Sequence, residues 1–303
     1  MRMPIALSVA LGAMAVSVPT LEPSSAVSLG RAVTQGRDSA VPLADATGIS
    51  RTNSSSAGPV SIRAVQLAGD GTGRERIEGG TDGTAGYETR DLLGWQLHIS
   101  RELLARESRF VSVAVDLLEK QLREIDQTVP ATAAMELRKV PLYFSPEYPN
   151  QQPRAEYHPD VDWLRANDRD PKMAKAVEFS NIRIFEQESK RMPNFTLHEL
   201  AHAYHHRFLP EAFANPEILT AHANAVRAGT YSRVERSFGD RKPNTFESAY
   251  AITSPMEYFA EATEAYFSRN DFFPFDRNQL LRHDPEMHAL LTKLWGQEKP
   301  DED

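Results

Sequence analysis

The pattern of apolar and polar positions changes character three times along the chain. Residues 5–18 form an apolar and small-residue run without charge, behind a short start carrying Arg2. A bilayer span takes roughly 20 residues, whereas this length suits the apolar core of a signal peptide. Ser24, Ser25 and Ala26 supply small residues for cleavage. Residues 1–26 are therefore expected to be a signal peptide. The chain is expected to be secreted or periplasmic, with no stable membrane insertion after cleavage. Residues 27–85 are rich in Ser, Thr, Gly and Ala and show neither a helical nor a strand period. Too little apolar surface is available there to offset the ordering entropy, so the segment reads as a flexible linker or pro-segment.

From Tyr87 onward the pattern becomes that of a folded domain. Residues 92–99 read as a strand, and residues 103–128 as a helix. Val111, Val115, Leu118, Leu122 and Ile125 recur there at three- and four-residue steps, and Pro130 stops the run. Residues 140–144 predict a short strand. Residues 145–175 predict a long connection with five prolines and the aromatics Tyr148, Tyr157 and Trp163; loops of that length inside a domain are often functional. Residues 177–185 predict the best strand of the chain. After it the pattern turns helical. One helix starts near Asn194 or Thr196 and ends before Pro210. Another is opened by Asn215-Pro216-Glu217 and closed by Gly229. A third begins at Ser254-Pro255, and Asp276 and Asp284 cap two more. Strands early and helices late imply an α+β domain with a small N-terminal sheet and helix and a helical C-terminal part. Residues 272–275, Phe-Phe-Pro-Phe, read as a core plug.

Composition narrows the chemistry. The chain has 303 residues, 41% of them hydrophobic, which is enough for one sizeable core. A formal net charge of −8 argues against a nucleic-acid reader, which carries a basic face. With no cysteine, a disulfide scaffold and a thiolate zinc site are both excluded.

The candidate chemistry lies in the helix near residue 198, which reads His198-Glu199-Leu200-Ala201-His202. Residues four apart share a helix face, so the two histidines can hold one metal ion, with Glu199 beside it to handle a water proton. Catalytic zinc takes three protein ligands and one open position. One source of the third ligand is a histidine six residues past His202, after a glycine. Phe208 stands at the histidine position and His205 at the glycine position, so that pattern fails. His205 lies too far along the helix to share the ion easily and reads as a buried or outer-lying histidine. The other source is an acid on a later helix. Glu257 and Glu261 lie four apart there, a spacing that suits one ligand and one carboxylate orienting a ligating histidine. Glu264 shares the face as a weaker candidate. Two capping boxes compete with this chemistry: Thr196 with Glu199, and Ser254 with Glu257.

His198-Glu-Leu-Ala-His202, Tyr250, and Glu257-Tyr-Phe-Ala-Glu261 together resemble the catalytic domain of anthrax lethal factor and its relatives, the Pro-Pro endopeptidases. These are gluzincins, with H-E-x-x-H and a distal Glu. The resemblance covers residues 177–267; Ala201 and Ala251 stand where the family commonly has glycine. It implies a zincin-like metallopeptidase domain over residues 86–298 and one catalytic Zn2+ held by His198, His202 and Glu257. It further implies Glu199 as general base, Tyr250 as hydrogen-bond donor to the oxyanion, and Glu261 as the outer acid. It also implies an extended polypeptide substrate beside an edge strand, for which residues 177–185 are the nominee. Two other readings stay open: hydrolysis of a non-peptide amide such as a cell-wall link, and a zinc-containing binding or toxin-accessory protein without turnover.

Overall fold

A hairpin opens the domain, formed by strands β1 (Tyr87–Leu92) and β2 (Trp95–Ser100). In the computed structural model, which describes residues 86–239 and 242–296, these two strands pair antiparallel in register Tyr87↔Ser100 through Leu92↔Trp95. The single strand expected over 92–99 is thus broken at its start. Leu93 and Gly94 both have positive φ, 54° and 90°, as a tight two-residue hairpin turn requires. The Asp91 carboxylate accepts the Gly94 N–H at 3.2 Å and closes the turn. Continuous hydrophobicity across Leu92-Leu93 hides it from a periodicity reading. The signal peptide and the linker expected over residues 1–85 lie outside the described residues.

Helix α1 (Arg101–Thr128) follows at once, with Ser100 accepting the Leu103 N–H at its start. Glu107 has non-helical dihedrals and kinks the first two turns. Leu103, Val111, Ala114, Leu118, Leu122 and Ile125 form its buried stripe; of the positions the spacing predicts, Val115 is only half-buried and Ala114 takes its place. Helix α2 (Ala131–Leu137) leads to β3 (Leu142–Phe144). The connection over 145–175 is not structureless: it carries β4 (Ala155–Tyr157), helix α3 (Val161–Ala166) and a single 3₁₀ turn at Pro171–Met173. Strand β5 (Val177–Phe179) is only three residues long. The longer strand expected to 185 ends at Ser180, whose hydroxyl and N–H bond the main chain of Arg154. Ile182–Ile184 then winds as a 3₁₀ turn into helix α4 (Phe185–Arg191). A short apolar run does not distinguish strand from buried helix, and here it is both in succession.

The five strands are ordered β1-β2-β3-β5-β4. β2, β3 and β5 run parallel; β1 and β4 are antiparallel edges. The edge-strand expectation for residues 177–185 is therefore overturned. β5 is paired on both sides, and the outer position beyond it belongs to β4.

The rest is mostly helical: α5 (Phe195–Phe208), α6 (Pro216–Ala228), α7 (Pro255–Phe267), α8 (Arg277–His283) and α9 (Pro285–Trp295). A two-strand hairpin, β6 (Val234–Arg236) with β7 (Thr245–Glu247), lies between α6 and α7. The predicted caps Asn215, Ser254, Asp276 and Asp284 each accept a first-turn N–H. Thr196 does not cap α5. Asn194 does, through the Leu197 N–H at 3.0 Å, while the Thr196 hydroxyl bonds Gln121 of α1. Phe272 and Phe275 are buried, and the Phe273–Pro274 bond between them is cis. The result is a mixed α+β architecture, with a small sheet and a mostly helical C-terminal part.

Candidate metal centre

Helix α5 is buried on every side from Phe195 to His205. A helix that meets protein all round holds its polar residues only where partners await them. Its main neighbour is α7, also buried along its length from Glu257 to Phe267. Three acids of α7 (Glu257, Glu261, Glu264) and three polar groups of α5 (His198, Glu199, His202) are each at most 5% exposed.

His198 and His202, one turn apart, bring their Nε2 atoms within 3.2 Å. Glu257 Oε2 lies 3.1 Å from the first and 3.5 Å from the second. Two zinc ligands at about 2.0–2.1 Å in a tetrahedral arrangement are separated by roughly 3.3 Å, and the three observed distances bracket that value. The opposite ring nitrogen of His198, Nδ1, is 2.6 Å from Glu264 Oε1. With that nitrogen donating, a neutral His198 turns a lone pair toward the Glu257 carboxylate, so acceptor faces acceptor. A shared cation resolves the conflict, and the donor set fits one. Without a cation the proton must do so. Burial opposes charge on His198, but the bonds from Glu257 and Glu264 outweigh it and hold its pKa well above the ordinary value. The same field that favours imidazolium favours a metal ion. On Glu257 burial acts upward, yet the two histidines pull the carboxyl below the usual range.

Around this triangle the other predicted residues fall unequally. Glu199 is 2% exposed, and its Oε2 accepts the main-chain N–H of Tyr157 at 2.8 Å. Burial raises its pKa against the pull of His198 and His202. The Tyr250 hydroxyl reaches Glu257 Oε1 at 3.4 Å, so the structure brings Tyr250 to the centre. Glu261 is close by but does not bond a histidine; it accepts from Asn270 Nδ2 at 3.0 Å. The carboxylate on His198 Nδ1 is that of Glu264. Among the described residues, two acid–histidine groups have converging ligand atoms: His198, His202 and Glu257, and His198, Glu261 and Glu264. In the second, the 2.6 Å contact is already a hydrogen bond. Its acids also stand off each other: burial, Asp271 and Glu264 push Glu261 well above its ordinary pKa. Burial leads in lifting Glu264 to about 7. The first group is the metal candidate, and Glu264 orients its histidine from behind.

His205 joins neither group. It is fully buried, its ring lies 5.2 Å from Phe213 and 5.1 Å from Phe259, and both ring nitrogens lack a hydrogen-bond partner. Burial, then His202 and His206, depress its pKa to about 3.

Two neighbours of the centre escape a reading of the sequence. Tyr157 sits inside the proline-rich connection, where alternation over three residues is too short to mark a strand. His158 looks isolated until the sheet register sets it near Glu178, with Nε2 and Oε2 2.8 Å apart.

A scan against protein-family models and searches of the curated proteins and of the solved structures find no match to this chain.

Proposed function

We propose that the chain is an exported zinc-dependent endopeptidase of the gluzincin type, with a zincin-like domain. The observation that carries this reading is the convergence of His198 Nε2, His202 Nε2 and Glu257 Oε2 within 3.5 Å of one another, with Glu199 on the same helix. These three residues hold the ion. The chemistry zinc supplies when bound is Lewis acidity toward a water and toward the scissile carbonyl.

The chain's own groups supply the remainder. Tyr157 N–H holds one oxygen of Glu199, which leaves the other to take the proton from water and pass it to the leaving amine. Tyr250, whose hydroxyl now rests on Glu257, turns to donate to the carbonyl oxygen as negative charge develops there. Glu264 fixes the His198 tautomer and ring plane. Strand β4 presents its outer edge beside Glu199. Phe179 and Val177 spend main-chain groups on the β3 side, so Glu156 pairs with Glu178, and Ala155 and Tyr157 turn theirs outward. An extended polypeptide aligns along that edge through the outward main-chain groups other than the Tyr157 N–H, which Glu199 holds.

Metal content and hydrolysis of a peptide library by wild type and Glu199→Gln test the reading. Both proteins are expected to hold one zinc per chain, and the variant to lose about 10²–10⁴-fold in kcat. Absence of bound metal in both, or full activity in the variant, overturns it. Cell-wall amide fragments in the same assay separate a non-peptide amidase.

A further inference from the structure

Tyr157 touches helix α5 twice. Its main-chain N–H donates to Glu199 Oε2 at 2.8 Å. Its phenol lies 2.8 Å from Nδ1 of His206, seven residues and two turns further along the same helix. The Tyr157 side chain is 4% exposed, and the His206 ring stacks on Phe213 with centroids 4.7 Å apart. Burial raises the phenol above its ordinary pKa. Burial, then Lys175 and Arg207, lowers that of His206. A protonated phenol therefore donates to a neutral imidazole.

The next residue anchors the strand from the other face. His158 Nε2 is 2.8 Å from Glu178 Oε2, which also takes Arg169 Nη1 at 2.6 Å, while Tyr148 donates to Glu178 Oε1 at 2.5 Å. Strand β4 is three residues long and an edge, so its own ladder fixes it poorly. These side-chain bonds on both faces supply the missing restraint.

We propose that Tyr157 is a positioning residue for Glu199: the bond from its phenol to His206 holds β4 against α5, so that its N–H stays on the Glu199 carboxylate and sets which oxygen faces the substrate. The role rests on the peptidase reading, since it assigns Glu199 the proton transfer. The clamp itself is a property of the fold and is measurable without turnover.

The test uses the full chain and four variants: Tyr157→Phe, His206→Leu, the double variant of these two, and His206→Asn. Tyr157→Phe removes the phenol's bond and keeps the N–H. His206→Leu removes the acceptor. His206→Asn keeps an acceptor near the Nδ1 position. Three readouts are taken: hydrogen exchange at the residue-157 amide, zinc per chain, and kcat and KM on one cleaved peptide. Tyr157→Phe and His206→Leu are expected to speed exchange at that amide about tenfold and to lower kcat about tenfold. KM stays within about twofold and zinc content is unchanged. The double variant shows no further loss, because both changes break one bond. His206→Asn recovers most of the rate. A residue that merely packs would lower Tm and yield but leave kcat per zinc-loaded chain where it was.

Unchanged exchange at residue 157 in Tyr157→Phe overturns the clamp. Faster exchange with unchanged kcat overturns the positioning role. A wild type that binds zinc and cleaves nothing overturns the peptidase reading and, with it, the catalytic role, while the exchange comparison still decides whether the clamp exists.

Discussion

Two buried histidine–glutamate clusters lie on either side of strand β4, and they are built oppositely. On the other face of the strand, His158 and Glu178 meet Arg169, and beside them Glu156 and Arg154 pair at 2.9 Å. Two acids there face two guanidinium groups. Between α5 and α7, His198 and His202 meet Glu199, Glu257, Glu261 and Glu264. Among the described residues, no Lys or Arg forms an ion pair with any of these four acids. The first cluster is closed electrostatically by its own side chains. The second carries four buried carboxyls without a paired guanidinium, so protons or a cation must supply most of the balance. A buried His–Glu contact is therefore not in itself the sign of a metal site. What makes the second a metal candidate is acceptors converging on one point with no arginine paired to them.

The largest effect expected from this contrast is on metal binding. Glu257→Gln leaves two histidine ligands and removes the charge between them, and zinc content is expected to fall to near zero. Added zinc at a hundred times its Kd should stabilise wild type by about 2.7 kcal/mol and leave Glu257→Gln unmoved. In metal-free protein the two histidines hold the Glu257 carboxyl below its usual range, so the metal-free variant should unfold at a lower Tm than metal-free wild type. Thermal unfolding with and without chelator reads both. A wild type whose Tm does not respond to zinc would mean that this cluster, like the outer one, is a structural ion network.

Next in size is the converse at the arginine-closed cluster. Glu178→Gln leaves Arg169 buried beside a neutral amide. Glu178 is held below the usual carboxylate range despite its burial, chiefly by the bond and charge of His158. Removing one member of such a buried group costs about 3–5 kcal/mol, a fall in Tm of roughly 6–20 °C for a domain of this size. Zinc per folded chain is expected to stay at one. If the variant loses zinc and keeps its Tm, the roles of the two clusters are reversed.

Smaller again is the effect of the acid behind the ligand. Glu264 bonds His198 Nδ1 at 2.6 Å, whereas Glu261 bonds Asn270. Glu264→Gln is expected to weaken zinc binding about 10–100-fold, and Glu261→Gln by far less. Competition with a chromophoric chelator measures both. Equal losses would return the orienting role to a shared acid pair.

That last distinction marks where sequence reading stops. The i, i+4 spacing of His198 and His202 fixes their common face from local geometry alone. The caps Asn215, Ser254, Asp276 and Asp284 are legible for the same reason, since each acts within its own first turn. Glu257, Glu261 and Glu264 share one face of α7, so spacing cannot say which of them reaches His198 Nδ1. The packing of α7 on α5 decides it, and that is a tertiary fact. The sheet is harder still. Three-residue strands carry no period, the apolar run over 177–185 divides into strand, 3₁₀ turn and helix, and the true edge β4 hides among prolines. The His158–Glu178 contact depends on strand register, which no spacing rule reaches.

A fourth buried histidine, with neither acid nor cation, tests the comparison from the opposite side. His205 sits among aromatic rings with both nitrogens unpartnered, and its folded pKa is about 3. In an unfolded chain the value is about 6.5. Between those limits the unfolded chain binds a proton that the folded chain refuses, so unfolding gains from acid. Stability is whole above pH 6.5 and falls as the pH drops toward 3, by about 1.4 kcal/mol for each unit below 6.5. His205→Leu removes that dependence. The difference in unfolding free energy between His205→Leu and wild type should therefore widen by about 1.4 kcal/mol from pH 7 to pH 5.5. Chelated samples unfolded in denaturant at the two pH values isolate it, because the titrating groups away from His202 and His206 act equally in both proteins. Parallel pH profiles would show that His205 takes up its proton in the folded state, and hence that the aromatic pocket admits a partner for it.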